Sequence, residues 1–284
     1  MNDGSHILLK IADRLRSFRN RAVVVKIGGS AMEIPAATHG MLDAVAALHT
    51  LGAKLILVHG GGKPIDRAMD AAGLTPVKIQ GRRYTDDATL AIVVKVLLEI
   101  NESLVTRFAN RGVNAVGIHC GISGKRLLLP GLDLQPLDLG RVGVVTGLDR
   151  MRFHDHLRDG TLPIVPSIAL DDTDGGWLNV NADSMAAGLA RELGAESVLF
   201  LTDTPGVLRD RLDPGSRLAR LTVDECRDLI ADGVINGGMI PKVEACFEAL
   251  EAGAARAVIL DGRDTHSLLD DFLQPGSTGT EIGK

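Results

Sequence analysis

Residues 23–29, Val23-Val24-Val25-Lys26-Ile27-Gly28-Gly29, and residues 55–62, Leu55-Ile56-Leu57-Val58-His59-Gly60-Gly61-Gly62, decide the fold. Each is a short apolar run of strand length that ends in glycines. Runs of this kind suit strands buried on both faces of a parallel sheet. Consecutive glycines at the strand end leave backbone N–H groups uncovered, which suits close approach of phosphate or carboxylate oxygens where a helix follows. Two such ends in succession suggest two anionic groups held side by side. Phosphoryl transfer is therefore the first hypothesis.

Working outward, the spacing predicts a strand over 22–27, a helix over 38–51 stopped by Gly52, a strand over 54–59 and a helix over 64–72 stopped by Gly73. After an extended segment over 77–84, Thr85 is expected to cap a helix over 86–110 that carries Leu90, Val94, Leu97, Leu98, Asn101 and Val105. A strand over 115–119 follows, and 126–129 with 141–146 read as hairpin strands lying over the main sheet, a cover suited to a lid. Strands are expected over 162–167, 177–179, 197–202 and 256–261. Helices are expected over 182–192, after a capping box at Thr222 and Glu225, and over 239–252. The alternation is βαβ almost throughout, so the fold class is α/β with one continuous, mainly parallel sheet. Two functional lobes, 21–160 and 161–284, are expected to share it. An amphipathic helix within 1–20 precedes them, with Ile7, Leu8, Ile11, Leu15 and Phe18 at helical spacing.

The composition excludes several classes of function. Hydrophobic residues make up 45% of the 284 but aromatics only 3%, so the core is expected to be built mainly from Leu, Val, Ile and Ala. A net charge of −5 gives no global attraction to nucleic acid or to an anionic membrane, and any anion must be held by a local site. Cys120, Cys226 and Cys246 are odd in number and lack Cys-x-x-Cys spacing, which argues against a disulfide framework or a zinc knuckle and for a reducing cytoplasm. Ile7-Leu8-Leu9 runs at once into Lys10, Asp13 and Arg14, so no signal peptide is expected, and no apolar run approaches a membrane span.

Six short motifs carry the chemistry. Lys26 lies at the carboxyl end of the first strand, where open α/β sheets place their ligands, and is a candidate phosphate contact; the alternative is a solvated sheet-edge lysine. Gly60-Gly61-Gly62-Lys63-Pro64 is neither a P-loop nor a Rossmann fingerprint, because Pro64 replaces the Ser or Thr and the glycine spacing is wrong. In Gly81-Arg82-Arg83-Tyr84-Thr85, one guanidinium could grip a carboxylate in two-point fashion, or both could balance Asp86 and Asp87. In Asn179-Val180-Asn181-Ala182-Asp183, alternation sends Asn179 and Asn181 to one side and brings Asp183 into a helix's first turn, for lysine orientation, metal binding or plain capping. Thr202-Asp203-Thr204-Pro205-Gly206-Val207 ends another strand in a polar turn fit for a second ligand such as a nucleotide. Gly237-Gly238-Met239-Ile240-Pro241-Lys242 brings a lysine to a helix N-terminus, where cations are usually disfavoured, so a ligand-facing role is attractive. His59, His154 and His156 match no strong metal-ligand spacing.

Taken together and in order, these motifs resemble the N-acetylglutamate kinases of the amino acid kinase family, over roughly residues 20–283. The resemblance implies a three-layer αβα sandwich with a mainly parallel open sheet, acetylglutamate in the N-terminal lobe and Mg·ATP in the C-terminal lobe. It implies ATP and Mg²⁺ as cofactors, and phosphorylation of the acetylglutamate side-chain carboxylate in arginine biosynthesis. Lys26 and Lys242 would hold the transferring phosphoryl, and Asp183 would orient both. Gly28, Gly29 and Gly61 would donate N–H groups to it. Gly61, Gly62, Arg83 and Asn179 would fix the acetylamino acid, and Thr202, Asp203, Gly206, Val207 and Lys242 would line the nucleotide, with no protein metal ligand assigned.

The N-terminal helix resembles the one that interlaces dimers into hexamers in arginine-inhibited members, so a homo-oligomer is expected. Residues 274–280 depart from the acidic Gly-Ile-Gly-Thr ending of those members, which leaves arginine inhibition open. Two other readings stand beside this one: a kinase for a carrier-bound aminoadipate or glutamate, and a non-catalytic arginine-sensing domain. The second would be favoured by loss of a catalytic lysine, yet Lys26, Asp183 and Lys242 are all present.

Overall fold

The computed structural model describes residues 3–17, 21–28, 31–79, 82–130 and 136–283. Helix α1 (Asp3–Ser17) precedes strand β1 (Val23–Ile27). Helix α2 (Pro35–Thr50) starts at Pro35 rather than at residue 38, because proline's fixed φ and missing N–H suit the first helical position. Strand β2 (Leu55–His59) leads through glycines into α3 (Gly62–Ala71). Two short antiparallel strands, β3 (Lys78–Ile79) and β4 (Arg82–Arg83), introduce the long helix α4 (Asp87–Ala109). Its cap is Asp86 and not Thr85: the Asp86 carboxylate accepts from the Thr89 N–H at 2.8 Å, while Thr85 is buried for another purpose.

The middle of the chain departs furthest from expectation. Strand β5 (Ala115–Gly117) is followed by the long strands β6 (Ile122–Pro130) and β7 (Pro136–Leu148). Helix α5 (Arg150–Arg158) then precedes β8 (Leu162–Pro166), β9 (Ile168–Asp171) and β10 (Trp177–Val180). The β6–β7 hairpin does not lie over the main sheet as a free cover. It closes a small four-stranded barrel with β9 and β10, and so has no free edge of its own.

The remaining elements are α6 (Ala182–Leu193), β11 (Ser197–Thr202), β12 (Arg220–Thr222) and α7 (Val223–Ala231). They are followed by α8 (Ile240–Glu251), β13 (Arg256–Asp261), α9 (Ser267–Leu273) and β14 (Thr280–Gly283). Helix α7 opens on the expected capping box: Thr222 Oγ1 accepts from the Glu225 N–H and the Glu225 carboxylate accepts from the Thr222 N–H.

Eight strands form the main sheet in the order β12-β14-β13-β11-β1-β2-β8-β5. From β13 to β5 every pairing is parallel, and β12 and β14 run against them. Alternation along β1 shows the layering. Val23, Val25 and Ile27 join Met41, Leu42 and Val45 of α2 and Leu104 and Phe108 of α4, whereas Val24 joins Met185 and Leu189 of α6 and Val243 of α8. Helices therefore cover both faces, giving the three-layer sandwich, and Lys26 shares the α6–α8 face with Val24.

The division expected between residues 160 and 161 does not follow the sheet. Strand β8 inserts between β2 and β5, and β9 and β10 close the barrel with β6 and β7. Residues 162–180 thus sit with the first half of the chain, because a parallel partner arriving late in sequence is free to enter between earlier strands.

Helix α1 docks on α9. Arg14 Nε donates to the Phe272 carbonyl at 2.8 Å and Leu15 packs on the cluster that holds Leu269 and Leu273. Ile7, Leu8 and Leu9 remain exposed, and Phe18 lies outside the described residues. Among the described residues no helix is long and apolar enough to cross a membrane.

Candidate active site

Six parallel strands end on one side of the sheet, and the ends of β1, β2 and β11 bring the predicted residues together. From β1, the Lys26 ammonium reaches into the α6–α8 layer and lies 2.7 Å from Asp183 Oδ1. Lys242, in the first turn of α8, donates to Asp183 Oδ2 at 3.2 Å. One carboxylate thus stands between two ammonium groups. Lys26 and Asp183 are each 5% exposed, which makes the arrangement costly unless the charges are paired.

The ionisation follows from that geometry. Burial pulls the Lys26 ammonium below its ordinary value; Asp183 opposes this and Lys242 adds to it. For Asp183, burial alone would raise the carboxyl, but Lys26 and Lys242 together hold it below the usual carboxylate range. Asn181, the other asparagine of the motif, is the cap of α6: its Oδ1 accepts from the N–H groups of Asp183 and Ser184 at 2.8 and 3.2 Å. It thereby sets the helix turn that carries Asp183.

The two glycine-ended strands behave differently. At the end of β2, Gly61 has a backbone conformation that caps α3 with no side chain to bond the first N–H groups. No described residue accepts from the N–H of Gly61 or Gly62, so among the described residues these donors of a helix N-terminus are unpaired, and both glycines line, with Gly60, a cleft of about 280 Å³. A Cβ at Gly61 would crowd Leu97 and Ile100 of α4 at 3.1 and 3.2 Å, so glycine lets the turn sit tightly on that helix. At the end of β1, by contrast, the Gly28 N–H donates to the Leu201 carbonyl at 3.0 Å. The expected phosphoryl donor at Gly28 is corrected accordingly, because the parallel ladder between β1 and β11 runs one residue further and takes its N–H. Gly29 lies outside the described residues.

Arg83 and Asn179 line the same cleft. The Arg83 guanidinium is 9% exposed, bonded to Asp66 of α3 and directed by Met69 Sδ at 3.1 Å. Asn179 donates through Nδ2 to Thr85 Oγ1 at 3.0 Å, and that hydroxyl donates to the Arg83 carbonyl at 2.9 Å. Thr85 therefore ties β10 to the arginine strand, which is why it is buried rather than capping α4. Arg82, the other guanidinium of the motif, also lines the cleft, as does Ser167, which was missed. Ser167 follows β8 as Gly60 follows β2, in register at His59 and Pro166, so the strand-end argument would have found it had it been applied to β8.

A second, larger cleft of about 800 Å³ lies beyond Lys242. Of the residues expected to line a nucleotide, Asp203, Gly206, Val207 and Lys242 line this cleft. Thr202 stands behind the wall, with its hydroxyl turned to Thr204 and to the Leu260 carbonyl. The Val207 N–H donates to Thr280 Oγ1 at 2.8 Å, which staples the turn to β14. Arg211, Asn236, Asp261 and Arg263 line this cleft as well and were missed. Asp261 ends β13 in register with Thr202, and its carboxylate holds Arg263 at 2.8 and 2.9 Å. Lys242 lines both clefts, while His154 and His156 lie on α5 and line neither.

Comparison with known proteins agrees with this geometry. Residues 21–261 match the amino acid kinase family. The acetylglutamate kinase of Brachyspira hyodysenteriae is 38% identical over 283 residues, covering 99% of this chain and 97% of that protein. That of Methanosphaera stadtmanae is 37% identical over 294 residues, with 99% and 97% covered. Among solved structures, N-acetylglutamate synthase from Neisseria gonorrhoeae in complex with coenzyme A and L-arginine shares the fold. Its TM-score is 0.83, with 22% identity, over 100% of this chain and 66% of that one. With a sheet, a paired-lysine site and a sequence that agree, the chain belongs to the amino acid kinase family.

Proposed function

We propose that this chain transfers the γ-phosphoryl group of ATP to the side-chain carboxylate of N-acetyl-L-glutamate. The products are ADP and N-acetyl-L-glutamyl 5-phosphate, in the second step of arginine biosynthesis. The observation that carries the reading is the Lys26–Asp183–Lys242 arrangement at the junction of two clefts, with Lys242 lining both. The full-length similarity to two acetylglutamate kinases supports the substrate.

In this reading an acceptor lobe, residues 21–180, takes the acetylamino acid and a nucleotide lobe, residues 181–283, takes ATP. Lys26 and Lys242 hold the transferring phosphoryl between them, and Asp183 orients both ammonium groups. Gly61 donates its N–H to the phosphoryl oxygens, a role Gly29 shares by its place in the motif. Gly61, Gly62 and Asn179 hold the acetylamino acid, with Arg83 on its α-carboxylate. Asp203, Gly206 and Val207 line the nucleotide.

The chemistry needs no general base, because the attacking carboxylate is already an anion at pH 7. The obstacle is repulsion: two unit charges 4 Å apart interact by about 4 kcal/mol at a surface-like dielectric. Two lysines and fixed N–H donors address it by placing opposite charge before the reaction begins. ATP would be taken as its Mg²⁺ complex, and Mg²⁺ would supply charge neutralisation for the phosphates. Among the described residues no group of three or more His, Cys, Asp or Glu is arranged to hold a metal, and Asp183 is occupied by two ammonium groups. The phosphates themselves are fitting ligands for so hard a cation.

The test is ADP release from Mg·ATP with N-acetylglutamate, glutamate, aspartate and aminoadipate in parallel, with and without arginine. A clear preference for N-acetylglutamate is expected; equal rates with the others reject the substrate. The free thiols of Cys120, Cys226 and Cys246 fit a cytoplasmic location. Exposed Ile7, Leu8 and Leu9 on α1 fit a homo-oligomer in which dimers join into a hexamer through this helix. Leu8→Glu with Leu9→Glu should lower the mass seen by light scattering, and an unchanged mass rejects that assembly.

A further inference from the structure

Behind the glycine turn of α3 runs a chain of three side chains that the scheme above does not use. His59, the last residue of β2, is fully buried, and its Nδ1 lies 3.3 Å from the Gly60 carbonyl oxygen. A carbonyl only accepts, so the proton resides on Nδ1 and Nε2 is left as an acceptor. Asn101 of α4 fills that need: its Nδ2 donates to His59 Nε2 and to the Ile164 carbonyl, both at 3.0 Å. Asn101 Oδ1 in turn accepts from His119 Nε2 at 3.0 Å.

Each donor and acceptor in this chain is determined by the next. Reversing the Asn101 amide would set its oxygen against the Ile164 carbonyl oxygen. Space is as restricted as polarity: a Cβ on Gly117 would fall 2.2 Å from Asn101 Oδ1 and 2.7 Å from His119 Nε2. Burial, aided by His119 and opposed by the Gly60 bond, lowers the His59 pKa to about 4, so the ring is neutral at pH 7 and confined to one tautomer.

What this chain holds is a peptide plane. In a trans peptide, C=O and the following N–H point in opposite directions, so holding the Gly60 carbonyl on His59 aims the Gly61 N–H the other way. A Gly-Gly peptide without that anchor has little of its own to prevent rotation, since neither residue has a Cβ.

We propose that His59 is a positioning residue for phosphoryl transfer: braced through Asn101 and His119, it locks the Gly60–Gly61 peptide so that the Gly61 N–H is preset as a donor at the acceptor cleft. The inference rests on the reading of that cleft given above. Complete removal of one preorganised donor lowers kcat by on the order of 10²–10³, and loosening one should cost on the order of tenfold.

Two variants separate this role from packing. The amide of His59→Asn reaches the Nδ1 position and can still donate to Gly60, whereas that of His59→Gln reaches the Nε2 position and cannot. Steady-state kinetics on both, with thermal unfolding as a check of folding, should show His59→Asn within about threefold of wild-type kcat. His59→Gln should be lower by about tenfold, with KM for ATP unchanged in both. Equal kcat values, or a more active His59→Gln, overturn the proposal. A wild type inert toward N-acetylglutamate would instead reject the function itself. Should either variant fail to fold, long-range ¹H–¹⁵N correlation of the wild-type imidazoles decides: a neutral Nδ1–H tautomer at His59 supports the proposal and an Nε2–H tautomer overturns it.

Discussion

The two clefts that meet at Lys242 are built from different material. The smaller cleft, about 280 Å³ and the proposed acceptor site, is walled by strand ends and a helix N-terminus, and side chains in and behind its wall are braced by hydrogen bonds. Asp66 and Met69 hold Arg83, Thr85 holds Asn179, and Asn101 holds His59. The larger cleft, about 800 Å³ and the proposed nucleotide site, is walled mainly by the turns over 203–208, 211–214 and 234–239, and Asp203, Arg211 and Asn236 in it are exposed. A small site with braced groups can discriminate by leaving polar partners unmet when the wrong acceptor enters. An open site of loops grips a larger ligand through many weaker contacts, with selectivity needed less at each one.

This contrast ranks the expected effects. The junction should be the most sensitive point: Asp183→Asn leaves two ammonium groups in a buried site without their carboxylate. It should cost about 3–5 kcal/mol of stability in chemical denaturation. Unchanged stability would mean that the junction is not held by charge. On the acceptor side, Arg83→Ala should raise KM for N-acetylglutamate by roughly ten- to a hundredfold, since a hydrogen-bonded charge contributes about 1.5–3 kcal/mol, with KM for ATP little changed. The reverse pattern would exchange the roles of the clefts.

Acid should find the acceptor side first. His59 is depressed from 6.5 to about 4 by burial, so the unfolded chain takes up the proton before the folded one. The stability associated with the neutral ring is therefore present above pH 6.5 and is lost as the pH falls toward 4. Between pH 7 and 5 the loss should be about 2 kcal/mol in urea unfolding, and His59→Asn should lack that component. An identical pH dependence in the two proteins would place the acid sensitivity elsewhere. The smallest effect belongs to the nucleotide side: Arg211, exposed and bonded to Asn236 at 2.9 Å, should on replacement by Ala raise KM for ATP by about fivefold or less. A change in KM for N-acetylglutamate of the same size would erase the distinction between the clefts.

Much of this was legible in the chain because several local signals agree. The apolar runs at β1 and β2, the glycine stops after α2 and α3 and the capping box of α7 state their elements through backbone chemistry alone. Helix α5 was not legible: Arg150, Arg152, His154, His156 and Arg158 leave only Phe153 and Leu157 as a buried stripe, too little for periodicity to register. The pairing of β9 and β10 with the hairpin was hidden for a different reason, since short strands acquire their partners from tertiary packing.

The site shows the same division. Lys26, Asp183 and Lys242 stood out because charged residues beside glycines and helix starts contradict ordinary burial. Gly28 was misread because a glycine's sequence does not reveal whether its N–H remains in the ladder, and only the register with Leu201 does. The cap of α4 was misplaced by one residue for a similar reason. Thr85 and Asp86 are both good caps, and the bond from Asn179 to Thr85 selects between them.

Lys242 lines both clefts at once and is the pivot of the proposed transfer. The most direct test is kcat for Lys242→Ala, measured on folded protein saturated with Mg·ATP and N-acetylglutamate. A fall of on the order of 10²–10³ is expected by analogy with loss of one preorganised donor. Near-normal turnover would contradict the proposed mechanism, because the phosphoryl group would then cross between the clefts without the cation that, among the described residues, lines both.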